Sequence, residues 1–95
     1  MKKYKIGKIT THDGTDKTDA ASQNRLGRIG TIEICESGIH DCEYMLFLAE
    51  YDPDRSSYSG FTTSRILGKA EGENMMVVVT ENTVYVLYEV EENVA

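Results

Sequence analysis

The chain has 95 residues and a formal net charge of −6, with ten Lys and Arg against sixteen Asp and Glu. This length gives room for one domain with a modest core, and excludes separate catalytic and regulatory domains. A hydrophobic fraction of 40% excludes a wholly disordered chain, and no apolar run approaches the roughly 20 residues that cross a bilayer.

The charge is distributed unevenly along the sequence. Residues 1–28 hold seven cations and three anions, whereas residues 29–95 hold three cations and thirteen anions. Most of the domain would therefore repel nucleic acid and would suit a basic protein surface, including one that normally holds nucleic acid. Solubility alone is the simpler explanation of the same charge. The first lysines precede no hydrophobic stretch, so we expect no signal peptide and a location in a bacterial cytoplasm.

The first half of the chain predicts two strands separated by a long polar segment. Residues 4–9 alternate as a first strand, and residues 25–36 form a second. Gly27 and Gly30 in the second strand indicate a bulge or a sharp bend. Residues 11–24 contain almost no core residues, and we predict a mobile loop there.

The second half predicts further strands. Residues 42–51 are apolar on both faces, which indicates a central third strand, and a loop that contains Pro53 follows over residues 52–60. Residues 62–71 fit either a strand or a short capped helical turn. Residues 75–81 and 84–90 form a hairpin across Asn82-Thr83, and residues 91–95 are a solvated tail.

These elements predict a single mainly β domain over residues 1–95. Five to six short strands, one of them bent at glycines, favour a small, strongly bent antiparallel sheet or a partly closed barrel of SH3-like or OB-like size.

One local cluster has the side chains of a metal site. Cys35, His40 and Cys42 flank a tight turn at Ser37-Gly38, and structural zinc takes four cysteine or histidine ligands. His12, carried on the long loop, is the candidate fourth ligand, with Asp13 or Asp41 as carboxylate alternatives. The spacing matches no standard zinc finger. Reduced, partly buried cysteines and a disulfide across the hairpin are the competing interpretations.

Catalysis is disfavoured by the sequence. It contains no nucleophile elbow, P-loop or dinucleotide fingerprint. A catalytic cysteine needs a lowered pKa, and Glu36, Asp41 and Glu43 beside the two cysteines would raise it. We therefore expect a protein that is not an enzyme and has no cofactor other than structural zinc.

Tyrosine is frequent in this sequence, with six residues and no tryptophan. Tyr51 and Tyr58 flank the Pro53 loop, and tyrosine is enriched at interaction hot spots. The loop is therefore a candidate contact surface, although packing explains any single tyrosine.

The last third of the chain resembles small β proteins of phages and mobile elements of Firmicutes. The resemblance rests on Thr63-Ser64-Arg65-Ile66 and on the run from Val77 to Leu87, which contains Thr80-Glu81-Asn82-Thr83-Val84-Tyr85. It implies a phage or mobile-element accessory protein and no particular activity. In size, charge and lack of catalytic motifs the chain is also similar to acidic anti-CRISPR inhibitors, without any matched functional residue.

The leading hypothesis is an acidic inhibitor that docks on a basic surface of a host nucleic-acid enzyme, such as a CRISPR effector nuclease, and excludes the nucleic acid. Its acidic contacts would come from both the hairpin tip and the Pro53 loop if these two segments share one end of the sheet. The alternatives are a phage structural or assembly subunit that adds its sheet edge to a neighbour, and a small-ligand sponge that closes over a nucleotide. The expected acidic contacts are Glu33, Glu36, Asp41, Glu43, Asp52 and Asp54.

Overall fold

A computed structural model describes residues 2–39 and 41–90 of the chain. Its elements, in chain order, are β1 (Lys3–Thr10), α1 (Ala20–Arg25), β2 (Ile29–Ser37), β3 (Cys42–Asp52), β4 (Ser57–Thr62), β5 (Ile66–Gly72), β6 (Met75–Thr80) and β7 (Val84–Val90). Within these ranges no helix is long and apolar enough to span a membrane. The predicted tail over residues 91–95 lies outside the described residues.

The strands form one antiparallel sheet in the order β4-β3-β2-β1-β7-β6-β5. This confirms the mainly β class, but the sheet has seven strands rather than five to six and is not closed into a barrel. The strand missed by the sequence is β4, which lies in the segment predicted as the Pro53 loop. Serine and glycine have low strand propensity, so pairing with β3 rather than local preference makes this segment a strand.

The core lies on the inner face of the curled sheet. Phe47 stacks on Phe61 with ring centroids 5.5 Å apart, and Phe61 stacks on Tyr85 at 5.7 Å. Val84, Val86 and Tyr88 share a face as their spacing predicts, but that face is the outer one. The buried hydrophobic residues are Ile6, Ile9, Met45, Phe47, Ala49, Met76, Val78, Tyr85 and Leu87.

A bulge in β1 explains why Ile6 and Ile9 both face the core. The register with β7 shifts between Ile6 and Lys8, so the alternation changes at Gly7. A Cβ atom at Gly7 would lie 2.1 Å from the Tyr88 ring, so glycine lets this ring cover the bulge.

Residues 11–24, predicted as a mobile loop, contain a turn and most of the short helix α1. Thr11 N–H donates to Thr15 O at 2.8 Å, and Lys17 N–H donates to Ile9 O at 3.0 Å, which ties a turn to β1. Hydrogen bonds from the Thr11 hydroxyl and from Thr15 lower the pKa of Asp13 to about 2. The helix α1 follows because the Asp19 carboxylate accepts from Ser22 N–H as an N-cap.

A buried arginine joins α1 to the β3–β4 turn. Arg28 is only 3% exposed, and among the described residues no carboxylate pairs with it. Its guanidinium instead donates to Asn24 O at 2.8 Å and to Asn24 Oδ1 at 3.1 Å, and to Ser57 O at 3.3 Å and Ser57 Oγ at 3.1 Å. Arg55 adds a second link, from its Nη2 to Leu26 O at 2.6 Å.

The two ends of the sheet approach each other where β4 leads into β5. Thr63 N–H donates to Met45 O at 2.9 Å, just past the end of β4. Farther along β5, Lys69 Nζ lies 3.6 Å from Glu43 Oε2 on β3. The chain thus bends from pairing with β3 to pairing with β6, and the sheet curls strongly without closing.

Gly30 is the position where β2 approaches β3 too closely for a side chain. A Cβ atom there would lie 2.1 Å from Leu48 O and 2.7 Å from Ala49 Cα, and both are backbone atoms. We expect Gly30→Ala to lower the free energy of unfolding by more than about 2 kcal/mol, because the backbone must shift. Gly68→Ala is the matched control, since nothing lies within 4 Å of its Cβ position. Urea unfolding of both variants checks the prediction, and equal losses would contradict it.

Arg28→Ala removes a buried hydrogen-bonding group and leaves its acceptors without a partner. We expect a loss of about 2–4 kcal/mol in the free energy of unfolding. Arg65→Ala is the control, because its ion pair with Glu81, at 3.2 Å, is exposed and contributes less than about 1 kcal/mol. Thermal and urea unfolding measure both, and an Arg28→Ala protein as stable as Arg65→Ala would show that the buried link is dispensable.

Candidate interaction surface

The β2–β3 hairpin extends the inner face of the sheet beyond the core. Ile34 on β2 lies opposite Met45 on β3. The next pair on the same inward face, toward the tip, is Glu36 opposite Glu43. Asp41 occupies the turn with a positive φ of 49°, a conformation that aspartate tolerates. The tip of the hairpin is therefore lined by carboxylates where apolar side chains end.

The topology brings more carboxylates to this end of the sheet. Val90 at the end of β7 lies opposite Lys3, and Met75 at the start of β6 lies opposite Tyr88. The β5–β6 turn therefore lies at the same end as the β2–β3 hairpin. We call this region the acidic end, and it comprises Glu36, Asp41, Glu43, Glu71, Glu73 and Glu89.

Few cations neutralise the acidic end. Lys69 Nζ lies 3.6 Å from Glu43, and Lys2 Nζ lies 3.8 Å from Glu89. Both pairs are solvent-exposed and contribute little. Among the described residues no lysine or arginine forms an ion pair with the other four carboxylates, which are Glu36, Asp41, Glu71 and Glu73.

The hairpin tip and the Pro53 loop do not share an end of the sheet, so the condition for combining their carboxylates into one surface is not met. Asp52 is the last residue of β3 and Asp54 lies just beyond it, whereas Glu43 is near the beginning of β3. A strand rises about 3.3 Å per residue, so the two groups lie roughly 30 Å apart. Glu33 lies between them on the outer face, opposite Leu46.

The Pro53 loop has its own charge balance. Asp52 Oδ2 accepts from Arg55 Nη1 at 2.7 Å. Burial alone would raise the pKa of Asp52, but hydrogen bonds from the Asp54 backbone and from Arg55 outweigh it and lower this pKa. Asp52 is thus committed to the turn, and Asp54 remains the exposed carboxylate there.

Tyr51 and Tyr58 lie together, as two tyrosines that flank one turn would. Their ring centroids are 5.2 Å apart with the rings tilted by 58°, and the residues are 50% and 75% exposed. They form an exposed aromatic pair near the Pro53 loop, at the end of β3 away from the acidic end.

The cysteines share a face of the hairpin. Cys35 lies opposite Tyr44 and Cys42 lies opposite Ser37, so the two cysteines occupy diagonal positions and both are free thiols. The neighbouring Cys35 is the main cause of a raised pKa of Tyr44. Burial and the Glu33 carboxylate raise this pKa further. His40, the third predicted ligand, lies outside the described residues.

His12 lies at the other end of the sheet from the cysteines. Its Nε2 is 2.7 Å from the backbone oxygen of Thr80, the last residue of β6. His12 is therefore a poor candidate for the fourth ligand, because its ring is engaged far from Cys35 and Cys42. Over residues 2–39 and 41–90 no three His, Cys, Asp or Glu side chains are grouped as a metal site.

Structural zinc on Cys35, His40 and Cys42 stays a prediction with a direct test. Protein purified without added zinc should contain about one zinc per chain, and Cys42→Ser should lose it together with several degrees of Tm. His12→Ala should keep the metal. Metal analysis and thermal unfolding check this, and zinc-free protein whose Tm zinc does not change would contradict it.

Compared with known proteins, the chain matches no protein family, no curated protein and no solved structure.

Proposed function

We propose that this chain is a non-enzymatic accessory protein of a phage or mobile element, acting in the cytoplasm of a bacterial host. Its acidic end docks on a basic surface of a host defence enzyme that handles nucleic acid. The bound protein then excludes the nucleic acid from that surface. A CRISPR effector nuclease is the first partner to test, because acidic inhibitors of this size act on such enzymes as a class.

The observation that carries the proposal is the opposition of Glu36 and Glu43 at the tip of the hairpin. Like charges directly opposite each other destabilise a pair of strands. Lys69 approaches only Glu43, so it does not neutralise both carboxylates. A folded protein retains such destabilising pairs mainly where a surface has a function. The opposed carboxylates therefore support a functional role for the hairpin tip.

The shape of the hairpin tip suits a cationic side chain from a partner. A depression of about 410 Å³ opens between Glu36, Asp41 and Glu43. An arginine that enters it would meet carboxylates on both strands and would form charge-assisted hydrogen bonds. The remaining carboxylates, on β5, on the β5–β6 turn and on β7, would raise the association rate by attracting the basic surface from a distance.

Docking of this kind competes with nucleic acid by occupying the same cations. Phosphates bind a basic channel mainly through lysine and arginine, and that binding weakens as salt rises. Carboxylates fixed on a folded sheet bind the same groups, so the complex is expected to be salt-sensitive as well.

Charge reversal at the acidic end tests the proposal. In an assay of DNA cleavage by a CRISPR effector nuclease, we expect the double variant Glu36→Lys/Glu73→Lys to inhibit at least about tenfold less than the native chain. The matched control is Asp16→Lys/Asp54→Lys, which makes the same change in charge at exposed residues away from the acidic end. It should inhibit as the native chain does.

Two outcomes would count against this function. Cleavage that continues undiminished in excess of the native chain, for effector nucleases of each type, removes the inhibitor role. Equal loss in the two double variants would show that net charge rather than the acidic end is responsible.

The nucleotide sponge has less support than the acidic inhibitor. It depends on the early lysines converging on a phosphate, but Lys2 pairs with Glu89 and Lys3 Nζ lies 2.5 Å from Glu50. A phage structural or assembly subunit remains the alternative, and light scattering would reveal its growth into assemblies of many copies.

A further inference from the structure

We propose that a second copy of this chain pairs with the free edge of β4, so that two sheets join across a two-fold axis at Gly60. This self-association surface is independent of the acidic end. Its argument rests on which backbone groups of β4 face outward, on the sequence of that edge and on where the charges lie.

The pairing of β4 with β3 determines which backbone groups are free. Thr63 N–H donates to Met45 O at 2.9 Å, and Met45 N–H donates to the Thr63 hydroxyl at 3.0 Å, so the polar groups of residue 63 face β3. Hydrogen-bonded and non-hydrogen-bonded pairs alternate in an antiparallel ladder. Phe61 and Ser59, opposite Phe47 and Ala49, therefore point their backbone groups toward β3.

The residues between them point their backbone groups away from β3. These are Tyr58, Gly60 and Thr62, and all three are exposed. Among the described residues no other group forms a hydrogen bond with their outward N–H and C=O groups. An unpaired row of this kind is a template for another strand.

The two edges of the sheet differ in how they resist such pairing. The strand β5 carries Lys69 and Glu71, and its register shifts between Ile66 and Gly68, so charges and a bulge interrupt that edge. The strand β4 reads Ser-Tyr-Ser-Gly-Phe-Thr and has neither charge nor proline. The register of β4 with β3 also shifts, between Ala49 and Asp52, but the extra residue there is in β3, so β4 itself offers a regular edge.

A second copy fits this edge because the edge is complementary to itself. With the two-fold axis at Gly60, Gly60 lies opposite the same residue of the partner, and Tyr58 lies opposite the partner's Thr62. Three hydrogen-bonded pairs result, each with two N–H to C=O bonds. An aromatic residue opposite a β-branched one is a favourable cross-strand pair, and glycine at the axis lets the two backbones approach freely.

The charge distribution also favours a second copy at this edge. Each chain carries a net charge of −6, so two copies repel unless their carboxylates stay apart. The strand β4 pairs with residues between Leu46 and Asp52 of β3, whereas Glu43 is near the beginning of β3 and Glu36 lies opposite it. The axis therefore separates the two acidic ends and brings together two uncharged segments.

The size of the contact predicts a dimer of moderate affinity. Interfaces carry about one hydrogen bond per 100–200 Å², so six bonds correspond to roughly 600–1,200 Å² of buried surface. This is at the lower end for specific complexes, and dissociation in the micromolar range is expected.

The test measures mass by sedimentation over about 5–500 μM, a range that brackets the expected dissociation constant. The native chain should shift from its 10.6 kDa mass to twice that value. Gly60→Lys and Gly60→Glu place like charges opposite each other at the axis, so each alone should remain at the single-chain mass. An equimolar mixture of the two should recover the dimer, because opposite charges then meet.

Gly68→Lys is the matched control on the other edge, since open space surrounds its Cβ position. It should dimerise as the native chain does. Hydrogen exchange of the unsubstituted chain gives a second measurement. The amides of Tyr58, Gly60 and Thr62 should exchange at least about tenfold more slowly at high concentration, whereas those of Ser59 and Phe61 should not change.

Four results would overturn the proposal. They are a native chain that stays at the single-chain mass throughout, growth beyond two copies, loss of the dimer in Gly68→Lys, and a mixture of the Gly60 variants that stays monomeric.

Discussion

The close approach of β2 to β3 at Gly30 is the constraint on which the curvature of this sheet depends. Gly30 lies opposite Tyr4 on β1 and opposite Ala49 on β3, so one residue links three strands. Because the β3 backbone occupies the space that a side chain would need, the sheet can turn over its own inner face there. Arg28, two residues earlier, holds α1 against the start of β4 and fixes the same bend from the other side.

Because the sheet curls, the inner face of the β2–β3 hairpin is apolar where it covers the core and acidic beyond it. Between Gly30 and the tip the inner face packs Ile34 and Met45 against the core, and one inward-facing pair farther on the same face carries Glu36 and Glu43. These two carboxylates face inward but contribute nothing to the core. Because they lie directly opposite each other, they destabilise the pairing of β2 with β3. That cost is the physical argument behind the proposal that the acidic end binds a basic partner.

The free edge and the acidic end occupy different parts of β3. Glu43 is near its beginning, and five of its last seven residues pair with β4, whose outer edge is uncharged. A partner at one surface would therefore leave the other accessible. If both proposals hold, a dimer would present two acidic ends facing away from each other, and each could engage a basic surface independently.

The sequence by itself determined the mainly β class and the strands β1, β2, β3, β6 and β7, and it indicated a bulge or bend at Gly27 and Gly30, because alternation and glycine are local signals. It did not determine α1 or β4. The six residues of α1 depend on the Asp19 cap and on the link through Arg28, and β4 depends on pairing with β3. Only the tertiary structure separated Asp52 and Asp54 from Glu36, placed His12 beside Thr80, and gathered Glu71, Glu73 and Glu89 at the acidic end. Strand order decides which ends of a sheet lie together, and strand order arises from contacts between residues far apart in the chain.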